Sequence, residues 1–408
     1  MLNKIKSVIS ILIIIFTVMQ STSCRKDSRE ITLLTDNPGI AAAAEMYNAE
    51  NPEVLITLHT VPFIELSVIE SVNPDIIIGS YIYSDSITGR LAPLENLHVP
   101  EYGSISVPYS KNGEPLLIPL SFTMPVIMGS TENGSSFSGA VTVTPEELIE
   151  KNRDFIRYNR KKRITNLGFS PLWNPETGYS ILISDYPEIT DSIETPDKDK
   201  LAEVINYLKE WQAETAGSPE KDKSFNEKYR YIPDEILINE GRIQFAQTKF
   251  ADWALLPDTI KNNLELRYLT VNGKIPVTET IYAGITAKGN KDGYSEKFLE
   301  WLITPGNQAG VIRKLKQDGS KMFGFLGGLS TIEKVNQEII CSYYPEFISL
   351  LPENYYIKSS GPYPELWKRI TAEVIYPWII SELSGNGSEG NLQELYKKWN
   401  LTSLNYSF

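Results

Sequence analysis

The spacing of apolar positions changes along the chain, and each change marks an element. Ile31-Thr32-Leu33-Leu34-Thr35, Val54-Leu55-Ile56-Thr57-Leu58 and Asp75-Ile76-Ile77-Ile78-Gly79 are short, nearly continuous apolar runs, the signature of strands covered on both faces. Between the first two, Ile40, Ala43, Ala44 and Tyr47 recur at i, i+3, i+4 and i+7, one face of a helix. Asn37-Pro38 reads as its N-cap and first-turn proline, and Asn51-Pro52 as its stop. Strand, helix, strand, amphipathic connection, strand predicts an α/β architecture with a parallel, doubly covered sheet.

The pattern continues to the C-terminus. Thr144-Pro145-Glu146-Glu147 is a capping box with proline at the first helical position. Thr195-Pro196 opens a helix whose Leu201, Val204, Ile205, Leu208 and Trp211 share one face until Gly217-Ser218-Pro219 stops it. Residues 278–287 alternate like a strand, residues 295–303 are helical, and the chain from Ser330 onward is mostly helical with long apolar faces. Residues 384–388, Ser-Gly-Asn-Gly-Ser, are a flexible link to a last helix over 392–399. Trp211, Trp301, Trp367 and Trp378 fall where packing residues belong.

The first residues have a different character. Lys4 and Lys6 precede an apolar run that gives way to Gln20-Ser21-Thr22-Ser23-Cys24. A basic start, a short apolar stretch and small residues before a cut site predict a secretory signal peptide over 1–23. The apolar stretch is far short of the ~20 residues a membrane-spanning helix needs. Cys24 directly after small residues resembles a bacterial lipobox, with Ser21 and Ser23 where Leu and Gly or Ala are commoner. The expectation is a lipidated Cys24, a charged tether over 24–30 and a body held at a membrane surface. Cys341 would then have no disulfide partner.

The length of 408 residues suits two domains. The balance of 39 Lys+Arg against 51 Asp+Glu, net −12, argues against nucleic acid as a partner, because phosphate neutralisation drives that binding. Two His and two Cys leave little for a metal site, and no metal and no cofactor are expected. Gly385-Asn386-Gly387-Ser388-Glu389-Gly390 spells G-x-G-x-x-G, but the stretch before it reads as helix, and a dinucleotide fingerprint needs a strand there. No motif of a serine hydrolase, zinc protease or P-loop occurs. His59 lies in a strand pattern and His98 in a loop beside Pro100. Residues 151–163 hold seven bases, either a solvated face or a dock for anionic headgroups.

The order of elements resembles the extracellular solute-binding proteins of bacterial ABC importers, in particular the large sugar-binding family (family 1). The residues that carry the resemblance, over roughly 31–399, are a strand, loop and helix followed by Tyr47-Asn48-Ala49-Glu50-Asn51-Pro52-Glu53-Val54; Pro74-Asp75-Ile76-Ile77-Ile78; Gly89-Arg90-Leu91-Ala92-Pro93-Leu94; Glu114-Pro115-Leu116-Leu117-Ile118-Pro119-Leu120; Thr144-Pro145-Glu146-Glu147-Leu148; Glu240-Gly241-Arg242-Ile243-Gln244-Phe245; and the helical stretch 298–308. Met128-Gly129-Ser130 and the Gly/Ser-rich stretch to Gly139 depart from the pattern, which makes the second lobe atypical.

The resemblance implies a periplasmic-binding-protein-like fold of type II: two α/β lobes, crossing hinge strands and a ligand cleft between them. Lobe 1 would comprise 25–120 plus 282–325, and lobe 2 121–281 plus 326–408. At the cleft it places Asp36, Asn37, Ser80, Tyr81 and the crossover residues Ser121, Phe122 and Thr123. Aromatic candidates are Trp173, Trp253 and Tyr282, each either in the cleft or in the core, and Asn37 could equally do no more than cap its helix. The implied function is a lipid-anchored, extracytoplasmic, monomeric receptor that binds a small solute, a carbohydrate above all, and hands it to ABC permease subunits without chemistry. Two alternatives stand beside it: a surface-anchored carbohydrate-active hydrolase, and a sensory or interaction lipoprotein that keeps a binding fold.

Overall fold

A computed structural model describes residues 28–97, 102, 104–131, 141–359, 361–385 and 391–403; the signal segment, Cys24 and His98 fall outside them. The first three strands form where the apolar runs lie: β1 (Arg29–Thr35), β2 (Val54–Thr60) and β3 (Ile76–Ser80), with β1 parallel to both neighbours. Leu33, Ile76 and Ile78 belong to one apolar cluster, and Leu34 and Ile77 to another. Burial on both faces is why these strands read as continuous runs rather than as alternation.

The sheet is mixed rather than wholly parallel. β12 (Glu279–Ile285) runs antiparallel between β3 and β4 (Ile118–Thr123), and β13 (Leu329–Ser330) adds an antiparallel edge, giving the order β13-β4-β12-β3-β1-β2. Residues 329–330 thus extend the first sheet past 325, where the expected lobe boundary lay. Helix α1 (Ile40–Glu50) buries Ile40, Ala43, Ala44 and Tyr47, the face its spacing predicts. Tyr47 meets Phe298 edge-on at 5.0 Å and Trp301 at 5.6 Å. The N-cap is Gly39, not Asn37. The Asn37 Oδ1 accepts from the Gly39 N–H at 2.9 Å, so it closes the turn that leads into the helix.

A second sheet, ordered β6-β10-β5-β9, is built from β5 (Val126–Ser130), β6 (Thr142–Val143), β9 (Phe245–Thr248) and β10 (Leu264–Leu269). Here too both faces are covered: Val126 and Met128 pack on one side, Ile127 on the other with Leu148, Leu208, Trp211 and Trp378. Helix α2 (Pro145–Phe155) carries the capping box the sequence predicts, with both reciprocal bonds of Thr144 and Glu147 in place. Helices α3 (Pro175–Asp185), α4 (Lys198–Ala216) and α5 (Pro219–Tyr229) follow. α4 is capped by Asp197 rather than Thr195, buries the predicted stripe from Leu201 to Trp211, and ends at left-handed Gly217. A helical stretch starting at Trp367 continues into α6 (Tyr376–Leu383), and α7 (Leu392–Ser403) is last. Because α6 leads into Gly385, helix rather than strand precedes the G-x-G-x-x-G segment, as expected; residues 386–390 lie outside the described ones.

The wall beneath α2, α4 and β8 (Ile164–Asn166) depends on one fully buried amide. Asn152 donates through Nδ2 to the Thr215 carbonyl at 3.0 Å and accepts at Oδ1 from the N–H groups of Gly168 and Phe169. A Cβ at position 168 would lie 2.7 Å from the Asn152 Cα, against backbone that cannot yield. Gly168→Ala is therefore expected to destabilise the protein by ~1–3 kcal/mol, read as a lower urea midpoint at unchanged slope.

Two chain crossings join the sheets. The first is short: β4 ends at Thr123, β5 starts at Val126, and only Met124-Pro125 lies between. The second brings the chain from β10 through β11 (Ile275–Val277) and Thr278 into β12, with β11 paired to β14 (Ile357–Ser359). The crossings lie side by side: the Thr278 N–H donates to the Thr123 carbonyl at 3.0 Å and the Leu269 N–H to the Pro125 carbonyl at 3.1 Å.

Candidate functional site

A cavity of about 350 Å³ opens where the crossings meet both sheets, within the ~300–1,000 Å³ of small-molecule sites. The crossings contribute Met124, Pro125, Thr278 and Glu279. Tyr81, directly after β3, comes from the first sheet. The second sheet's side supplies Trp173 and Asn174 just before α3 and Glu176 and Tyr179 in it, with Gln247 and Thr248 at the end of β9 and Lys249 and Asp252 after it. Asp234 and Tyr376 complete the lining. Four aromatic side chains thus share a small cavity with four carboxylates, one ammonium and several amides and hydroxyls.

Local geometry fixes these groups before any ligand arrives. Tyr81 sits at φ 56°, a left-handed conformation unusual for a residue with a side chain. Its hydroxyl donates to the Thr278 carbonyl at 2.8 Å, tying the first sheet to the crossing. From behind, Tyr363 packs edge-on against it at 5.3 Å. Asn174 is buried, bonded through Oδ1 to the Gln247 N–H (2.8 Å) and through Nδ2 to the Ser170 carbonyl (3.1 Å). Tyr179 accepts from the Trp367 indole N–H at 2.9 Å. Lys368 lies 3.8 Å from Glu279.

Burial and like charge act together on the acids. Asp234 is pushed up to about 6 by burial, helped by Glu235 and Glu176 nearby. Glu176 is raised by burial as well, against the opposing pull of its own backbone N–H and of Lys249. Burial likewise raises the Tyr81, Tyr179 and Tyr376 hydroxyls, so all three remain protonated donors at neutral pH. Among the described residues no group of three or more His, Cys, Asp and Glu could hold a metal ion, and no helix is long and apolar enough to cross a membrane.

Of the residues singled out from the sequence, Tyr81 and Trp173 line the cavity. Thr123 stands next to it, its hydroxyl 3.3 Å from that of Thr278. The others lie elsewhere. Asp36 bonds the Ser80 hydroxyl (2.7 Å) and N–H, locking the ends of β1 and β3 together. Asn37 is buried and reaches the Leu326 carbonyl at 2.8 Å. Ser121 and Phe122 are inside β4, flanked by β12 and β13, because the actual crossing comes two residues later. Tyr282 is 1% exposed and spends its hydroxyl on the Ser106 carbonyl. Trp253 is buried edge-on against Phe347, and its neighbour Asp252 reaches the cavity instead. His59 is exposed on β2.

No family model matches this sequence, and no curated protein sequence does either. Solved structures do. The maltose-binding periplasmic protein MalE from Listeria monocytogenes, in complex with maltose, superposes with a TM-score of 0.59 over 93% of this chain and 99% of that one, at 14% identity. The fold is that of ABC substrate-binding proteins. The ABC substrate-binding protein Lmo0181 from the same organism, in complex with cycloalternan, gives 0.56 at 15% identity, again over 93% and 99% of the two chains. The GacH receptor of Streptomyces glaucescens, solved unliganded and with acarbose, gives 0.58 at 15% identity with the same coverage. The cavity described above lies between the two sheets of this chain.

Proposed function

We propose that this protein is the substrate-binding component of an ABC importer, holding a carbohydrate between its two lobes and releasing it unchanged to permease subunits. The observation that carries the reading is the composition of the cavity. Saccharides offer flat C–H faces and many hydroxyls, and they are met by aromatic faces together with carboxylates and amides. Tyr81, Trp173, Tyr179 and Tyr376 supply the first, Glu176, Asp234, Asp252, Glu279, Asn174 and Gln247 the second. Four carboxylates against Lys249 disfavour an acidic sugar and admit a neutral one. We take the lobes as 25–120 plus 282–325, with β13 added, and as 121–281 plus 326–408 without it. The signal-like start and Cys24 support an extracytoplasmic body anchored by lipid; we take it to act as a monomer without cofactor. The fold shared with the maltose- and cycloalternan-bound receptors supports the same reading.

Calorimetric titration with neutral mono- and oligosaccharides tests it directly, and a ligand held at 100 times its Kd should also add ~2.7 kcal/mol to stability. A panel of saccharides producing neither heat nor a melting shift would overturn it. The pH dependence has a definite sign. Above about 6 the ionised Asp234 is a charged acceptor for sugar hydroxyls; once protonated it keeps only a weaker neutral acceptor beside its new O–H donor. Affinity is expected to be level near neutrality and to fall severalfold as pH drops through that value, and Asp234→Asn should remove the step.

Hydrolysis is the second reading, and the raised pair Asp234 and Glu176 is what favours it, since glycosidases need two carboxylates in differing states. Incubation with the tightest-binding oligosaccharide separates the two: a receptor returns it intact, and a hydrolase yields shorter products.

A further inference from the structure

The seven-base stretch over 151–163 is not spread over a featureless surface. Its second half is the turn between β7 (Arg157–Tyr158) and β8, and that turn is braced. Asn159 accepts at Oδ1 from the N–H groups of Lys161 (2.9 Å) and Arg163 (3.1 Å), and its own N–H donates to the Arg163 carbonyl at 2.9 Å. Lys162 adopts φ 57°, a conformation that residues other than Gly, Asn and Asp seldom take. Across from the turn, α5 presents Lys221, Ser224, Phe225 and Lys228 at the i, i+3, i+4, i+7 spacing of a single face.

Between turn and helix lies a groove of about 400 Å³. Lys162, Arg163, Lys221 and Lys228 line it, with Glu220 as its one acid, buried Ile164 and Phe225 as its apolar part, and Thr165 and Ser224 as hydroxyls. Among the described residues none of these four cations has a carboxylate partner, whereas Arg153, Lys200 and Lys209 elsewhere on the surface each have one. Lys221 lies over the Tyr158 ring at 5.4 Å, and Lys228 over that of Tyr229 at 4.5 Å. Four cations face one concavity in a chain of net charge −12.

We propose that this groove binds a phosphate-bearing group. A phosphate oxyanion accepts the two-pronged guanidinium of Arg163 together with point charges from lysines. The turn holds Lys162 and Arg163 in place beforehand, so less ordering is needed on binding. The ligand's source is either a soluble organophosphate or the headgroup of an anionic lipid at the surface where the protein is tethered. The groove shares no lining residue with the cavity between the sheets, so the proposal does not depend on the sugar reading.

The test uses the full chain with two kinds of probe. Inorganic phosphate and glycerol 1-phosphate are titrated by calorimetry at low salt. In parallel, co-flotation is measured with vesicles of phosphatidylcholine alone and of phosphatidylcholine with phosphatidylglycerol, where a lipid anchor contributes equally to both and the difference reads charge. Binding in at least one arm is expected, weakened by added salt and reduced about tenfold or more in Arg163→Glu/Lys228→Glu. Lys200→Glu/Lys334→Glu changes net charge equally at another place and should leave it intact. Binding of the free anions identifies a soluble ligand; binding only to the anionic vesicles identifies the headgroup. Should the glutamate pair fail to fold, Arg163→Gln/Lys228→Gln makes the same comparison. No binding in either arm, or equal loss in the control pair, overturns the proposal.

Discussion

Trp173→Ala is expected to weaken saccharide binding by about 30- to 100-fold, equivalent to ~2–3 kcal/mol, the loss typical of a central tryptophan anchor. The indole is partly buried, lines the cavity and rests edge-on against Phe225 at 5.3 Å. Its loop does not depend on the ring for its shape. The Ser170 carbonyl accepts from the Trp173 N–H at 3.1 Å and the Ser170 hydroxyl from the Leu172 N–H at 3.2 Å, so the turn persists when the side chain is cut back. What disappears is a flat surface on the cavity wall, against which the proposed sugar would stack. Trp173→Phe keeps a smaller flat surface and should recover part of the affinity. Calorimetry with the tightest saccharide measures both variants, and an unchanged Kd for Trp173→Ala would remove this wall from the binding site.

The same loop leads to a second large effect, this one on stability. Asp222 on α5 is 1% exposed. Its Oδ2 accepts from the Ser170 hydroxyl at 2.6 Å and from the Gln212 amide at 2.9 Å, while Oδ1 has no hydrogen-bond partner. Burial pushes the carboxyl from 3.8 up to about 6, opposed by those two bonds. The folded state therefore retains a proton that the unfolded chain has already released between those values. The stability this group contributes is greatest below the lower value and declines as pH rises through the window, by roughly 3 kcal/mol at neutrality. Asp222→Asn keeps an acceptor for Ser170 and Gln212 and no longer buries a charge. The variant should be ~1–3 kcal/mol more stable than the parent near neutral pH and no more stable near pH ~4. Urea midpoints at the two pH values check this, and an undiminished pH slope in the variant would assign the titration to another group.

The sequence reveals the scaffold more readily than the cavity, and particular residues show why. Leu33 and Leu34 point to opposite faces, yet both are buried, so a continuous apolar run declares a strand without saying which side faces what. Thr144 and Glu147 are three residues apart and satisfy each other's backbone groups, so that helix start is visible locally. The cavity has no such shorthand. Tyr376 follows Tyr81 by almost 300 residues in the chain, and only the folded crossings bring both to one space. Phe122 and Tyr282 were reasonable cleft candidates as aromatics near the crossings. Strand register turns both inward, and the positions at the opening fall to Met124, Pro125, Thr278 and Glu279 instead. Asn174-Pro175 before a helical stretch was the one local signal that pointed to a missed lining residue: a helix start close to the ligand site.

The brevity of the Met124-Pro125 passage bears on how affinity is divided between grip and motion. Proline fixes its own φ and limits the residue before it, so few torsions there can absorb a rotation of one lobe against the other. Thr278 is fastened alongside by its bond to Thr123, so a pivot at the crossings would run through residues that themselves line the cavity. Near a pivot, a given angle moves atoms very little. Under the proposed function, contacts from Pro125 and Thr278 to a bound sugar would persist through a rotation of the lobes, whereas those from Asp252, which is on neither crossing, would be made and broken by it. Substitutions at the axle should therefore alter how tightly any sugar is held, and substitutions along the lever arm how completely it shuts the door.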